Sequence, residues 1–285
     1  MPLHPAAPED LAGLVSAYQQ TVQAVVDLGR ACTDKDFDRP TACPGWSVKD
    51  QISHVVGLES WLHTGEVPRV TVPDYAHVRN EQGAFVERAV EQRRAMVGSK
   101  VVDELETVLG KRVEQFSAPG MTLETVVRGA FGPSPAGQSL RLRILDIWTH
   151  EQDIRQALGR PGNLDSGGAA VFMDVLFSQL PKLVARNAGI EPGNVVIVDV
   201  TGPVMGRAGV WVEEGEEGGK ARGIPLFSGV AHDGDPLDVF TTITLSTDAL
   251  TRRAAGRGTV DDIHFTVHGD EGVGRRVLEN LVFVP

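Results

Sequence analysis

Cysteine is scarce, with only Cys32 and Cys43 in 285 residues. A small secreted scaffold stapled by disulfides carries more, so a reducing cytoplasm is the expected setting. Basic residues are outnumbered, 27 Lys and Arg against 38 Asp and Glu, for a formal net charge of -11. A broad nucleic-acid footprint is therefore excluded, because phosphate binding needs clustered cations; small anions can still bind locally. No apolar run reads as long enough to cross a bilayer. The opening MPLHPAAPEDLAG lacks the basic-then-apolar order of a secretory leader. The expected partners are small molecules, with no nucleic acid and no membrane.

What is present is ordinary globular material, 41% hydrophobic and 23% charged, rather than a disordered chain. Its length leaves room for two domains with cores. Leu11, Leu14, Val15, Tyr18, Val22, Val25 and Val26 recur at helical spacing and predict a helix over 8–32. DFDRPTACPGWS is a loop by its prolines and glycine. Ser47 then caps a helix reaching about Leu62, with Asp50 as an imperfect capping box. Residues 77–117 read as mostly helical, weakened by Gly98 and Gly110. GAFGPSPAG ends any helix near Val127. Ser139–Leu158 is the clearest helix, stopped by Gly159 and Pro161.

After Pro161 the texture changes. One helix is predicted over 167–187 and an amphipathic one over 271–282. Between them the period falls to two, the signature of half-buried strands. Val239, Thr241, Ile243 and Leu245 share one face, and Ile263, Phe265 and Val267 another. Val195–Val200 and Gly209–Val212 are further strands, and 213–223 is a solvated loop. No internal repeat is visible. The expected fold is a two-domain α + α/β chain: a helical bundle over 1–163 and an α+β domain with a small sheet over 164–285.

On the 139–158 helix, Asp146 and His150 are four residues apart and so neighbours on one face. They border an apolar stripe of Leu140, Ile144, Ile147, Ile154 and Leu158. A carboxylate and an imidazole so placed can share a metal or simply hydrogen-bond to each other. The helix after Ser47 is apolar around most of its circumference, which puts His54 inside the bundle. There it is either a core histidine bonded to a backbone carbonyl or a third ligand. Bundle cores are where such sites are built, and three protein ligands leave a coordination position open.

Three segments carry a resemblance. ACPGWSVKDQISHVVGLESWL resembles the opening motif of the mycothiol-dependent maleylpyruvate isomerase family, a branch of the DinB-like helical bundles. RILDIWTHEQDIRQALGRPG is similar to that family's second metal motif. The tail from TRRAAGRGTVDDIHF onward is similar to its sterol-carrier-like C-terminal domain. The resemblance implies a DinB-like four-helix bundle holding one divalent ion through His54, Asp146 and His150. The family pattern has Glu where this chain has Asp146, so a shorter arm must draw the helix closer or bind through water.

Other candidates surround this set. Asp153 is either an acceptor that orients an imidazole or a solvated surface acid. Arg143 and Arg155 either meet a carboxylate or lie on the surface. Arg253 and Arg257, at a predicted turn, could close over an anion between domains. Trp46, Trp61 and Cys43 read as core, core and loop. Two His and one carboxylate suit zinc, and the resemblance implies mycothiol as thiol cosubstrate. The expected chemistry is isomerisation or sulfur transfer on a small electrophile. The alternatives are a metal-hydroxide hydrolase and a non-catalytic metal- or small-ligand-binding protein.

Overall fold

A computed structural model describes residues 3–215, 219–227 and 240–283. The chain divides into two compact units, Pro8–Gly162 and a second made of Asn163–Pro285 together with Met1–Ala7. The expected boundary put residues 1–7 with the bundle. Instead, His4 and Met205 exchange backbone hydrogen bonds of 2.9 Å in both directions, and this ties the N-terminal segment to a strand of the second unit.

The first unit is helical. α1 (Leu11–Arg30) starts where the Asp10 side chain accepts from the Gly13 N–H, and buries Leu14, Tyr18, Val22, Val25 and Val26. A one-turn α2 (Asp34–Phe37) leads into the loop before α3 (Val48–Thr64). The Ser47 box is complete: Ser47 accepts from the Asp50 N–H while the Asp50 carboxylate accepts from the Ser47 N–H. That satisfies two donors which a helix start otherwise leaves open.

The stretch 77–117, read as mostly helical, holds two helices, α4 (Glu81–Glu91) and α5 (Gly98–Phe116). Gly98 marks the break for a packing reason: a Cβ there would lie 2.3 Å from the Phe37 ring. The stretch read only as a helix stop forms a hairpin, β1 (Val126–Gly129) with β2 (Gly132–Pro135), paired from Val126↔Pro135 to Gly129↔Gly132. Strands this short carry too little alternation to register as a period. The hairpin feeds straight into α6 (Ala136–Leu158), which therefore begins before Ser139 and ends at Gly159 in the left-handed region. α6 packs on α1 and α3, and this brings the two metal motifs together.

The second unit carries α7 (Gly167–Lys182), which continues through a π turn at Leu183–Asn187. This segment corrects one expectation. At 21 residues and mean hydropathy 1.3 it is long and apolar enough to cross a membrane, yet 61% of its apolar stretch is buried in the fold, as in a core helix. The strands are β3 (Val195–Thr201), β4 (Met205–Glu213), β5 (Arg222–Leu226), β6 (Phe240–Leu245) and β7 (Phe265–His268). They form one sheet in the order β5-β4-β3-β6-β7, with β3 and β6 parallel and the other pairs antiparallel. Thr241, Ile243 and Leu245 of β6 are buried on alternate positions, the outcome that period two foretold, whereas β3 buries Val195 to Val198 without alternation. Asp238 and Val239 of the predicted strand, and 216–218 of the predicted loop, lie outside the described residues. α8 (Thr247–Ala254) and α9 (Glu271–Glu279) complete the unit.

Candidate metal centre

α3 and α6 bring His54, Asp146 and His150 together, with one donor atom from each lying within 4.8 Å of the others. His54 Nε2 is 3.4 Å from Asp146 Oδ2, and His150 Nε2 is 3.6 Å from Asp146 Oδ1. The ring centroids of the two histidines are 4.6 Å apart. Both imidazoles are buried, while the Asp146 side chain keeps 26% of its surface exposed. The cluster therefore opens to solvent on the carboxylate side.

These donors fit a divalent ion. Two imidazole Nε2 atoms and one carboxylate converge on a partly desolvated point, the donor set of a borderline metal with room for a further ligand. The histidine Nδ1 atoms face away, buried and without a hydrogen bond. His150 Nδ1 lies 3.7 Å from Asp153 Oδ2, close enough to orient the ring once the imidazole carries a proton or an ion. Asp153 is buried, not a solvated surface acid, and accepts from Gln51 Nε2 at 3.3 Å.

Burial by itself would raise the Asp146 carboxyl, but the Arg143 guanidinium, followed by His150, holds it well below the usual carboxylate range. Burial likewise opposes charge on His150, yet Asp146 and Asp153 outweigh it and keep its pKa above the ordinary value. For His54 burial prevails over its bond to Asp146, and its pKa falls. The surroundings thus favour the anionic form of Asp146 and favour a proton on His150 more than on His54.

Of the two readings of Arg143, the one in which it meets a carboxylate holds. It is 2% exposed, donating from Nε to Glu59 Oε1 at 2.6 Å and from Nη1 to Asp146 Oδ2 at 2.8 Å. Arg155 pairs with Glu151 at 2.7 Å. Arg253 sits within α8 rather than at a turn. All three of its nitrogens donate to backbone carbonyls, those of Leu278, Gly258 and Glu279. Arg257 is buried and donates to the Ala255 carbonyl. Both arginines thus have structural work within their own unit.

Trp46 is core, as expected, but core of a particular place. Its ring centroid is 5.0 Å from that of His54 and 5.9 Å from that of His150, so it walls both imidazoles. Its indole N–H donates to Glu87 Oε2 at 2.8 Å, and Glu87 also binds Arg94 and His77. The preceding Gly45 has φ 78, and a Cβ there would meet the His77 ring at 2.2 Å. Only glycine gives both that backbone and that contact. Trp61 is half-buried, edge-on to Phe85. Cys43 lies half-buried in the loop, and neither cysteine is in a disulfide.

Sequence reasoning missed Glu59, Arg112, Tyr18 and Glu87. A signal existed for the first two. Glu59 interrupts the apolar run of α3, and Arg112 continues the Leu105–Val108–Leu109 stripe of α5 toward Phe116. A charge on a core-facing stripe needs a buried partner.

Residues 18–155 match the family model for the mycothiol maleylpyruvate isomerase N-terminal domain. The helical unit is similar to that family's domain. Two crystal structures of the mycothiol-dependent maleylpyruvate isomerase, one of them of an alanine mutant, are similar over 91% of this chain and 94% of theirs. Identities are 16% and 17%, with TM-scores of 0.54 and 0.52. At that identity the likeness establishes a shared fold that spans both units. No curated protein matches the chain.

Proposed function

We propose that this protein is a metal-dependent enzyme that uses a low-molecular-weight thiol, mycothiol in the first instance, for isomerisation or sulfur transfer on a small electrophilic substrate. The observation that carries the reading is the convergence of His54, Asp146 and His150 within 4.8 Å, open on the Asp146 side. The match of the helical unit to the mycothiol maleylpyruvate isomerase N-terminal domain model supports the choice of thiol. Zinc suits two imidazoles and a carboxylate. When bound, such an ion supplies the Lewis acidity that lowers the pKa of a coordinated thiol.

The protein's own residues do the rest. His54 and His150 present Nε2 atoms, Arg143 holds Asp146 anionic, and Asp153 stands behind His150. Trp46 covers both rings and keeps water from that side. Cytoplasmic placement belongs to the same reading, since a reduced thiol cosubstrate requires a reducing compartment.

Cobalt(II) substitution tests this. Adding mycothiol should produce a sulfur-to-cobalt charge-transfer band in the near ultraviolet, growing as pH rises toward a typical thiol pKa of roughly 8.5. His54→Ala should not give it. An unchanged spectrum from neutral to alkaline pH overturns thiol use, and turnover without thiol would then point to hydrolysis.

A further inference from the structure

Each part of the donor set is backed by a buried glutamate. Behind Asp146, Arg143 Nε donates to Glu59 Oε1 at 2.6 Å, and Glu59 Oε2 receives Arg112 Nε and the Tyr18 hydroxyl, each at 2.9 Å. This buried network joins α1, α3, α5 and α6. The imidazoles are backed differently. Their planes lie 36° and 42° from that of the Trp46 indole, nearer to stacked than to edge-on, at centroid distances of 5.0 and 5.9 Å. An indole has one donor, and that of Trp46 is spent on Glu87 Oε2 at 2.8 Å. Glu87 is 1% exposed. His77 Nε2 lies 3.1 Å from the same oxygen, and Arg94 Nη2 donates to the other. Arg94 Nη1 also donates to Oδ2 of Asp50, the capping residue of α3, at 3.0 Å. The bonds of Glu87 thus go to Trp46, His77 and Arg94, and none goes to His54, Asp146 or His150.

We propose that Glu87 is a positioning residue that, through the indole N–H of Trp46, holds that ring against His54 and His150 and thereby strengthens ion binding at the centre. The inference rests on the metal-enzyme reading above. An imidazole that gives its Nε2 lone pair to a cation takes on positive charge. An aromatic ring within about 6 Å attracts such charge, tryptophan most strongly, and more so where water is excluded. Both imidazoles are buried, so the indole supplies stabilisation that water does not. The gain is larger with the ion than without it, so it falls on affinity and not only on the fold. It also depends on where the ring stands. A tryptophan side chain turns about two dihedrals, and a bond from its one donor to a buried acceptor removes that freedom. Glu87 is fixed in its turn by Arg94, a charge-assisted bond, and Arg94 is tied to the start of the helix that carries His54.

The test is cobalt(II) titration of the full-length protein, with affinity and the quenching of tryptophan emission by cobalt read together. The Trp46 contribution is the difference between each protein and its Trp46→Phe counterpart. Trp46→Leu should bind cobalt about 10-fold more weakly, and Trp46→Phe, which keeps a ring without its anchor, about 3-fold. Glu87→Leu should weaken binding about as much as Trp46→Phe and reduce the quenching of Trp46. Glu87→Gln retains an acceptor oxygen and should recover both readouts. Thermal unfolding of the metal-free variants identifies those that fold. If Glu87→Leu does not, Trp46→Phe decides the matter, because it removes the same bond and leaves Glu87 with Arg94 and His77. Affinity equal to wild type in every folded variant overturns the inference and leaves the metal-enzyme reading intact. So does a Glu87→Leu protein that binds more weakly with Trp46 quenching unchanged, since Glu87 would then act by another route. A wild type that takes up no cobalt overturns both.

Discussion

At the scale of the residue, the centre rests on His150 more than on any other donor. It lies on the same helix face as Asp146 and has Asp153 behind it. His150→Ala should abolish stoichiometric metal binding, a loss of several kcal/mol in metal affinity, while the bundle stays folded, because the stripe of Leu140, Ile144, Ile147 and Ile154 is untouched. Elemental analysis and far-ultraviolet circular dichroism on the same preparation check this; metal retained near one ion per chain would show that the helix face is misassigned. The carboxylates also hold the His150 pKa above its ordinary value. The ion must displace that proton, so affinity should fall as pH drops through the raised pKa and level off above it. Isothermal titration in buffers of different ionisation enthalpy should show proton release on binding, and a pH-independent affinity between mildly acidic and neutral conditions would contradict it.

At the scale of the element, the loop before α3 depends on Glu87 of α4. Burial by itself would raise this carboxyl, but bonds from Trp46, Arg94 and His77 bring it below its ordinary value of 4.5. A group with a depressed folded pKa contributes stability that is complete above its unfolded value and is lost as pH falls through the folded one. Wild type should therefore lose thermal stability below about pH 4.5 more steeply than Glu87→Gln, whose amide cannot titrate. Parallel curves from pH 7 to 3 would remove Glu87 from that role. The capping box is the second test at this scale. Ser47→Ala removes the acceptor for the Asp50 N–H and should cost about 1 kcal/mol in chemical denaturation.

At the scale of the molecule, every ligand and every member of the buried network lies within Pro8–Gly162. Residues 8–162 expressed alone should fold and bind cobalt with the wild-type visible band. Catalysis is a separate matter, since small-molecule sites often draw on more than one domain, and we expect this fragment to turn over poorly or not at all. Loss of the band in a folded fragment would show that the second unit shapes the centre.

The division between what was legible in the sequence and what was not follows the reach of each interaction. Asp146 and His150 meet because residues four apart on a helix are neighbours whatever surrounds them, so that half of the centre was readable from spacing. The change from period 3.6 to period two near Pro161 likewise announced the passage from helices to a sheet, and the two metal motifs announced the likeness to the family model. The sequence could not show that Arg143 points inward, because its partner Glu59 is 84 positions away and another of Glu59's partners, Arg112, is 53 from it. Nor could it show that residues 3–7 run with the second unit, that GAFGPSPAG folds as a hairpin, or that Arg253 spends its guanidinium on backbone carbonyls. Local periodicity decides which face of an element is apolar. Which charges that face meets is decided by chain segments far away in sequence, and only the packed bundle brings them within hydrogen-bond distance.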